Sequence, residues 1–398
     1  MKRLLTLIAA STLSANGALA QTKELTIGVL NDQSSLYSDL TGSGSITAAR
    51  MAIDDFKQLL PDYKINLVSA DHQNKPDIGS SIARRWITAD GVDVIVDVPT
   101  SSVAFAIQEM TRGAKIPFLI SGAASSDLTG KACSPTSVHW TYDTYALAAG
   151  AARGVVRTGR KKWFFIAQDN AFGSALQRDI SKFVIEAGGS IVGSIKHPLN
   201  ESEFSSYILQ AEAAKPDVVA LANAGSDFTN ALKQAAEFGL TAHDIKIVGT
   251  SVTINDVHGL GLNAAKGVQF AVPFYWDMTD KTREWSKRFF EVEKKMPNHI
   301  HAGVYGSVQH YLQAVAASGT TEGPAVVKKM KETPINDFFT KEGRIRKDGK
   351  VLREYYLMEV KAPEESKQPW DYLKVLETIS AEETAVPEKE SECSLIKK

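Results

Sequence analysis

Apolar and polar positions along this chain alternate between short β-branched runs and longer stretches with apolar residues three or four apart. Leu25–Leu30, Ile65–Ala70, Val92–Val98 and Ile116–Ile120 are runs of the first kind and read as buried parallel strands. Between them, Ile46, Ala49, Ile53 and Phe56, then Val103, Ile107 and Met110, fall at helical spacing. Pro76 marks the first turn of another helix, with Asn74 or Asp77 as its cap. This regular alternation predicts a doubly wound parallel sheet. The pattern then restarts. Trp163–Ala167, Ile191–Lys196, Val218–Leu221, Ile245–Val248 and Gly267–Val272 are strands, separated by helices that stop at Gly188-Gly189, before Pro216 and at Gly239. A second doubly wound sheet of similar size is expected, with no sequence identity between the halves, so the fold class is α/β. Further helices follow at Thr279–Lys295, Gly303–Ala317 and Pro324–Glu332, then a hairpin turn at Asp348-Gly349. From Lys361 onward the chain is rich in Pro, Glu and Lys and reads as an irregular tail anchored by Trp370, Tyr372 and Leu373.

The stretch from Asp97 to Gly130 holds two successive strand-to-loop junctions, each ending in small hydroxylated residues. The first carries Thr100, Ser101 and Ser102 ahead of a helix; the second carries Ser121, Gly122, Ala123, Ala124, Ser125 and Ser126. Hydroxyls there lie beside unpaired backbone N–H groups at the positive end of a helix dipole. One junction alone reads as ordinary capping. Two at the carboxyl edge of one sheet, followed by His139-Trp140-Thr141-Tyr142, favour a pocket for a small anion.

A length of 398 residues favours two domains. No run of Lys and Arg with interleaved aromatics occurs, so no nucleic-acid partner is indicated. Residues 1–20 have the features of a secretory signal peptide: Lys2 and Arg3, an apolar segment from Leu4 to Ala10, and a small-x-small site at Ala18-Leu19-Ala20. Cleavage after Ala20 would take the formal net charge from −1 to −3 and start the mature chain near Gln21, in the periplasm or outside the cell. Both cysteines, Cys133 and Cys393, survive processing; they form one disulfide or stay as two buried thiols.

Catalytic signatures are scarce. There is no Gly-x-Ser-x-Gly elbow and no Walker-type loop. Gly42-Ser43-Gly44 lies too far beyond its strand for a dinucleotide turn. His299 and His301 have no carboxylate or cysteine at ligand spacing and read as solvated surface residues. Asp71-His72 reads as a polar pair in a strand-end loop. No metal, cofactor or catalytic residue is expected. More informative are Tyr37, Trp140, Tyr142, Phe172, Tyr275 and Trp276, all at or near strand ends, which could wall an apolar or aromatic ligand.

An exported chain with two doubly wound halves, TSS after one strand and ISGAASSDLTG after the next, resembles the type I periplasmic solute-binding proteins. Within them it is most similar to the leucine/isoleucine/valine-binding group that serves ABC importers of hydrophobic amino acids and amides. The resemblance implies two lobes joined by three crossovers, with a ligand clamped between them. It places Ser101 or Ser102 and the Ala123–Ser125 loop on the ligand carboxylate, and Tyr37 and Phe172 on the aromatic walls. Two positions depart from the pattern. Asn223-Ala224-Gly225 replaces a second-lobe tyrosine, and Gly249-Thr250-Ser251 replaces the acid that would take an ammonium, leaving Asp227 as a substitute.

The expected layout is a lobe of 21–143 plus 274–350, a second of 144–273 plus 351–375, and a tail of 376–398 tied back by Cys393. The expected function is a monomeric periplasmic receptor that delivers a small carboxylate-bearing ligand to an inner-membrane ABC permease. A buried ammonium without a charged partner costs several kcal/mol, so an organic or aromatic acid is favoured over a branched-chain amino acid. A ligand sensor of the same fold and an exported enzyme using Asp71-His72 or Asp169 are the rival readings.

Overall fold

The computed structural model describes residues 22–156, 159–240 and 244–396, so the signal peptide expected over residues 1–20 lies outside the described residues. Two sheets carry the fold. In sheet A, β1 (Lys23–Asn31), β2 (Tyr63–Asp71), β3 (Val94–Asp97), β4 (Phe118–Ile120) and β5 (Ser137–His139) run parallel in the order β2-β1-β3-β4-β5. The helices α1 (Gly42–Phe56), α2 (Pro76–Thr88) and α3 (Ser101–Ala114) connect them. Neither Asn74 nor Asp77 caps α2; Lys75 occupies that position without a side-chain cap. Ile27, Val29, Val94 and Val96 face one core, while Leu30, Ile95 and Phe118 face another. Burial on both faces is why these strands read as continuous β-branched runs.

The chain then enters the other half through α4 (Thr144–Val156). It continues as β6 (Lys162–Gln168), α5 (Ala171–Glu186), β7 (Ser190–His197), α6 (Ser205–Ala213), β8 (Val218–Ala222) and α7 (Ser226–Glu237). Next come β9 (Lys246–Gly249), α8 (Ile254–Leu260), α9 (Leu262–Ala265) and β10 (Gln269–Val272). It returns to the sheet A half with α10 (Asp280–Glu293), α11 (His299–Ser318) and α12 (Gly323–Glu332); α10 and α11 pack on α1, and α12 packs on α11. The hairpin of β11 (Arg344–Ile345) and β12 (Val351–Leu352) precedes β13 (Tyr355–Val360) and β14 (Leu373–Ile379).

Sheet B has the order β14-β13-β10-β9-β8-β6-β7. It is mixed: β13 pairs antiparallel with β10, and β14 antiparallel with β13. Two sequence-based expectations therefore change. The second sheet is not wholly parallel, and the region after Lys361 is not simply irregular, because β14 closes one edge of the sheet and extends past residue 375 to Ile379. The chain crosses between the halves after β5, after β10 and after β12.

The tail after β14 makes a further link. Cys133, between β4 and β5, is bonded to Cys393, 260 residues later. The end of the chain, leaving sheet B, is thus fastened covalently to a loop of sheet A.

Candidate functional site

The carboxyl ends of the sheet A strands meet those of sheet B across a cleft, where ligands of open α/β sheets bind. Tyr37, Leu40, Pro99, Gly122, Ala124, Tyr142, Phe172, Ala224, Ser251 and Ile300 line the space between them. Its free volume is about 10 Å³, the room of one water.

Local sequence explains each wall. Tyr37 lies in the loop between β1 and α1, shaped by buried Asp32, whose carboxylate accepts from the backbone N–H groups of Ser35 and Tyr37 at 3.0 and 2.8 Å. Phe172 is in the first turn of α5, started by Asn170, whose side chain accepts from Gly173 N at 2.8 Å. Tyr142 donates from its hydroxyl to the Gly122 carbonyl at 2.9 Å, fixing its ring against the second junction. Gly225, at φ +63°, completes the opposing rim; a Cβ there would lie 2.6 Å from the Leu36 carbonyl oxygen across the cleft. A glycine is needed for that approach.

The two junctions do meet. Ser101, which opens α3, accepts from Ser125 N–H through its hydroxyl at 3.2 Å. Ser125 Oγ is buried without a hydrogen-bond partner among the described residues. Thr100 is at the N-cap of α3 but makes no capping bond; its hydroxyl turns instead to Asn74. Ser102 is half-buried beside Ser101, and Ala123 offers its carbonyl to His139 Nε2 at 2.8 Å.

A polar chain runs behind the aromatic wall. Tyr37 donates from its hydroxyl to Gln168 Oε1 at 3.0 Å, joining the two halves. Gln168 Nε2 donates to Asp227 Oδ2 at 2.8 Å, and the other Asp227 oxygen accepts from Glu201 N at 3.0 Å. Burial pushes the Asp227 carboxyl up to about 6 despite these bonds. Both of its oxygens are already engaged, and Asp227 is not among the lining residues. Burial and the nearby Asp227 charge also raise the Tyr37 phenol.

Of the residues singled out in the sequence, Tyr37, Ala124, Tyr142, Phe172 and Ser251 line the cleft, with Ser101 and Ser125 beside it. Others are placed elsewhere. Trp140 packs into the core against His310 and the Arg353 guanidinium. Tyr275 and Trp276 both donate to the Trp370 carbonyl, at 3.1 and 2.9 Å. Asn223 lies within hydrogen-bond distance of His197, while its neighbour Ala224 reaches the cleft. The expectation for His299 and His301 is overturned: both are buried in the first turn of α11, and burial pushes each imidazole down to about 3. Among the described residues no group of three or more His, Cys, Asp or Glu could hold a metal ion.

Leu40, Pro99, Gly122, Ala224 and Ile300 were not singled out as site residues. Pro99 and Gly122 belong to the two junctions and were accessible from the strand-end pattern. Ile300 arrives from a helix far along the chain, and no local signal marks it.

Comparison with known proteins places this arrangement. The family model for periplasmic binding protein matches residues 24–368. A periplasmic binding protein from Burkholderia mallei is 41% identical, superposes with a TM-score of 0.91, and aligns over 94% of this chain and 99% of its own. A branched chain amino acid ABC transporter periplasmic ligand-binding protein from Burkholderia xenovorans is 36% identical, with a TM-score of 0.84 and 94% and 100% coverage. A solute-binding protein of an ABC transporter from Rhodopseudomonas palustris, in complex with benzoate, shares the fold at 18% identity, with a TM-score of 0.82 and 93% and 99% coverage. The chain belongs to the periplasmic binding protein family, as a type I member of the branched-chain amino acid ABC transporter group. It is a solute-binding protein of the ABC type.

Proposed function

We propose that this chain is the exported receptor of an ABC importer and that its ligand is a small acid, aromatic and without an α-ammonium. The observation that carries this reading is the lining of the cleft: apolar and aromatic side chains, one hydroxyl and two phenols, with no charged residue among those described. A buried ammonium would meet no ionised partner there, at a cost of several kcal/mol. A carboxylate, in contrast, has the Ser125 hydroxyl and the N–H groups at the start of α3 within the same loop cluster. The benzoate complex of the Rhodopseudomonas palustris protein supports this ligand class for the fold.

In this reading 21–143 plus 274–350 and 144–273 plus 351–375 act as lobes, and the ligand's carboxylate is held by the first. Hinge rotation at the three crossovers brings Phe172, Ala224 and Ser251 over it, and the permease reads the closed form. The receptor works as a monomer in the periplasm after cleavage behind Ala20, and the ligand is released unchanged. A second reading, a receptor for hydrophobic amino acids, is favoured by the Burkholderia xenovorans relative.

A thermal-shift screen of ligand-stripped mature protein separates the two, since a ligand of the native state raises its melting temperature. Benzoate, phenylacetate and hydroxycinnamate are expected to stabilise; leucine, valine and phenylalanine are not. Stabilisation by the amino acids and not the acids overturns the acid reading. Conversion of a bound acid during prolonged incubation overturns the receptor reading.

A further inference from the structure

At the end of β3, directly below the second junction, is a carboxyl group that none of the roles above uses. Asp97 is fully buried and holds a left-handed backbone, φ +83°. Its carbonyl accepts from Ser121 N and Gly122 N, both at 3.3 Å, which pins the strand end to the loop. Its carboxyl points under the same loop: a Cβ on Gly122 would lie 2.8 Å from Asp97 Oδ1. Gly122 itself lines the cleft. One peptide layer therefore separates this acid from the space where the ligand's carboxylate is seated.

Neither Asp97 oxygen has a well-formed hydrogen bond among the described residues, although the Ser45 hydroxyl and the Asn31 amide lie close enough to favour its ionised form. Asn31, the nearest amide, donates to Gly42 O at 2.9 Å and accepts from Gln33 at 3.1 Å. Ser45 faces the carboxyl from α1, and its hydroxyl is also unpartnered. An ionised carboxylate in such a place is compensated only in part, by Ser45 and Asn31, whereas a protonated one can donate to Ser45 Oγ. We infer that Asp97 is a specificity-determining residue of this site: its ionised fraction takes up a proton from solvent as an anionic ligand is seated, so that the acid under the carboxylate loop is neutral in the bound state. The inference rests on the carboxylate reading above.

Burial moves Asp97 up to about 7 against the lowering effect of Ser45 and Asn31, so part of the free protein carries the ionised form near neutrality. An anion above it raises the group further. The surrounding titratable groups do not supply this linkage. Just after β1 the neighbour is Asp32, engaged by Ser35 and Tyr37 N. From the loops and α11 come the Tyr142 phenol, raised by burial, and His299 and His301, both pushed down by burial. His139 at the end of β5 and His72 at the end of β2 are likewise pushed down, each to about 4. Across the cleft, Asp256 is raised to about 7, but it accepts two 2.8 Å bonds from Thr253 in the cap of α8, and Asp227 is bonded behind Gln168. These two acids are the controls.

The test is calorimetric titration of the mature protein with benzoate, ionised throughout, from pH 6 to 8 in buffers of different ionisation enthalpy. Expected are proton uptake on binding and an affinity that weakens about five- to tenfold over the interval. Asp97→Asn, whose amide is neutral and tolerated at left-handed φ, keeps the tight affinity and loses the linkage. Asp256→Asn and Asp227→Asn retain it. No proton exchange, proton release, or a linkage that survives in Asp97→Asn overturns the inference. Absence of binding by every acid overturns the carboxylate reading instead. The assignment of Asp97 then still stands or falls on infrared spectroscopy: a protonated-carboxyl band at pH 6, lost in Asp97→Asn, is expected in the free protein, and its absence refutes it.

Discussion

Tyr37 and Gln168, on opposite sides of the cleft, are joined by a 3.0 Å hydrogen bond from phenol to amide oxygen. In the proposed receptor cycle the bond forms only when the halves close, so its removal would weaken the closed state and leave a buried amide oxygen unpaired. Tyr37→Phe keeps the aromatic wall and isolates that effect. A loss of ligand affinity of about tenfold, on the order of 1.4 kcal/mol, is expected by calorimetry, with little change in the unfolding of free protein. An unchanged Kd would mean that the bond has no part in closure.

The Cys133–Cys393 bond makes the tail a strap between the sheets. It is reinforced on the way by Arg346 donating to the Val386 carbonyl at 2.6 Å and by the Lys182–Glu390 ion pair at 2.5 Å. Cys133→Ser with Cys393→Ser removes a closure spanning most of the chain. A stability loss of about 2–4 kcal/mol in urea is expected, with early proteolysis after Ile379. Equal stability and an equally resistant tail would show that the noncovalent contacts suffice.

Most of the strands were legible because parallel strands buried on both faces leave continuous β-branched runs, as at Ile27–Leu30 and Val94–Val96. β5 was not, since Ser137-Val138-His139 is short and mostly polar and is held by pairing to β4. β14 was hidden for another reason. As an edge strand carrying Lys374 and Glu377, it buries only Leu373 and Ile379 fully, so its pattern merges with the polar tail. The site divides the same way. The hydroxylated junctions follow from strand-end chemistry, but which strand-end aromatic faces the cleft is tertiary: Tyr142 reaches it, while Tyr275 and Trp276 turn to Trp370. His299 and His301 were misplaced because their burial comes from distant rings, Tyr142 at 4.9 Å from His299 and Phe289 at 5.0 Å from His301.

Those buried imidazoles set the response to acid. His301 and His299 lie near 3, and His139 and His72 near 4, all by burial, against about 6.5 in an unfolded chain. Below about pH 6.5 the unfolded chain binds protons that the native one refuses, so each histidine costs up to about 1.4 kcal/mol per pH unit as pH falls. Asp97 and Asp256 act in the opposite sense: raised to about 7, they stabilise at low pH and lose that contribution as pH rises through 7. Between about pH 4 and 6 each of these four imidazoles costs stability as pH falls, offset in part by the raised acids, Asp227 at about 6 among them. His301→Gln should therefore flatten the acid limb of a urea stability profile by about one histidine's slope. An unaltered slope would show that His301 does not stay neutral.

Lys350 and Asp143 form a buried ion pair, 2.7 Å apart, where two crossings between the halves meet. Lys350 follows the Asp348-Gly349 turn, whose Gly349 carbonyl accepts from His139 N at 2.9 Å. Asp143 lies just before α4 and also accepts from Ala146 N at 2.8 Å. Burial lowers the Lys350 ammonium, and the Asp143 charge opposes that shift. Removing one partner leaves the other charge buried and uncompensated, which costs about 3–5 kcal/mol; removing both charges costs far less. Lys350→Met alone should therefore destabilise strongly in urea denaturation, and Lys350→Met with Asp143→Asn should recover most of the loss. A single substitution costing under about 1 kcal/mol would mean that the pair is solvated, as exposed ion pairs are, and has no hold on the crossings.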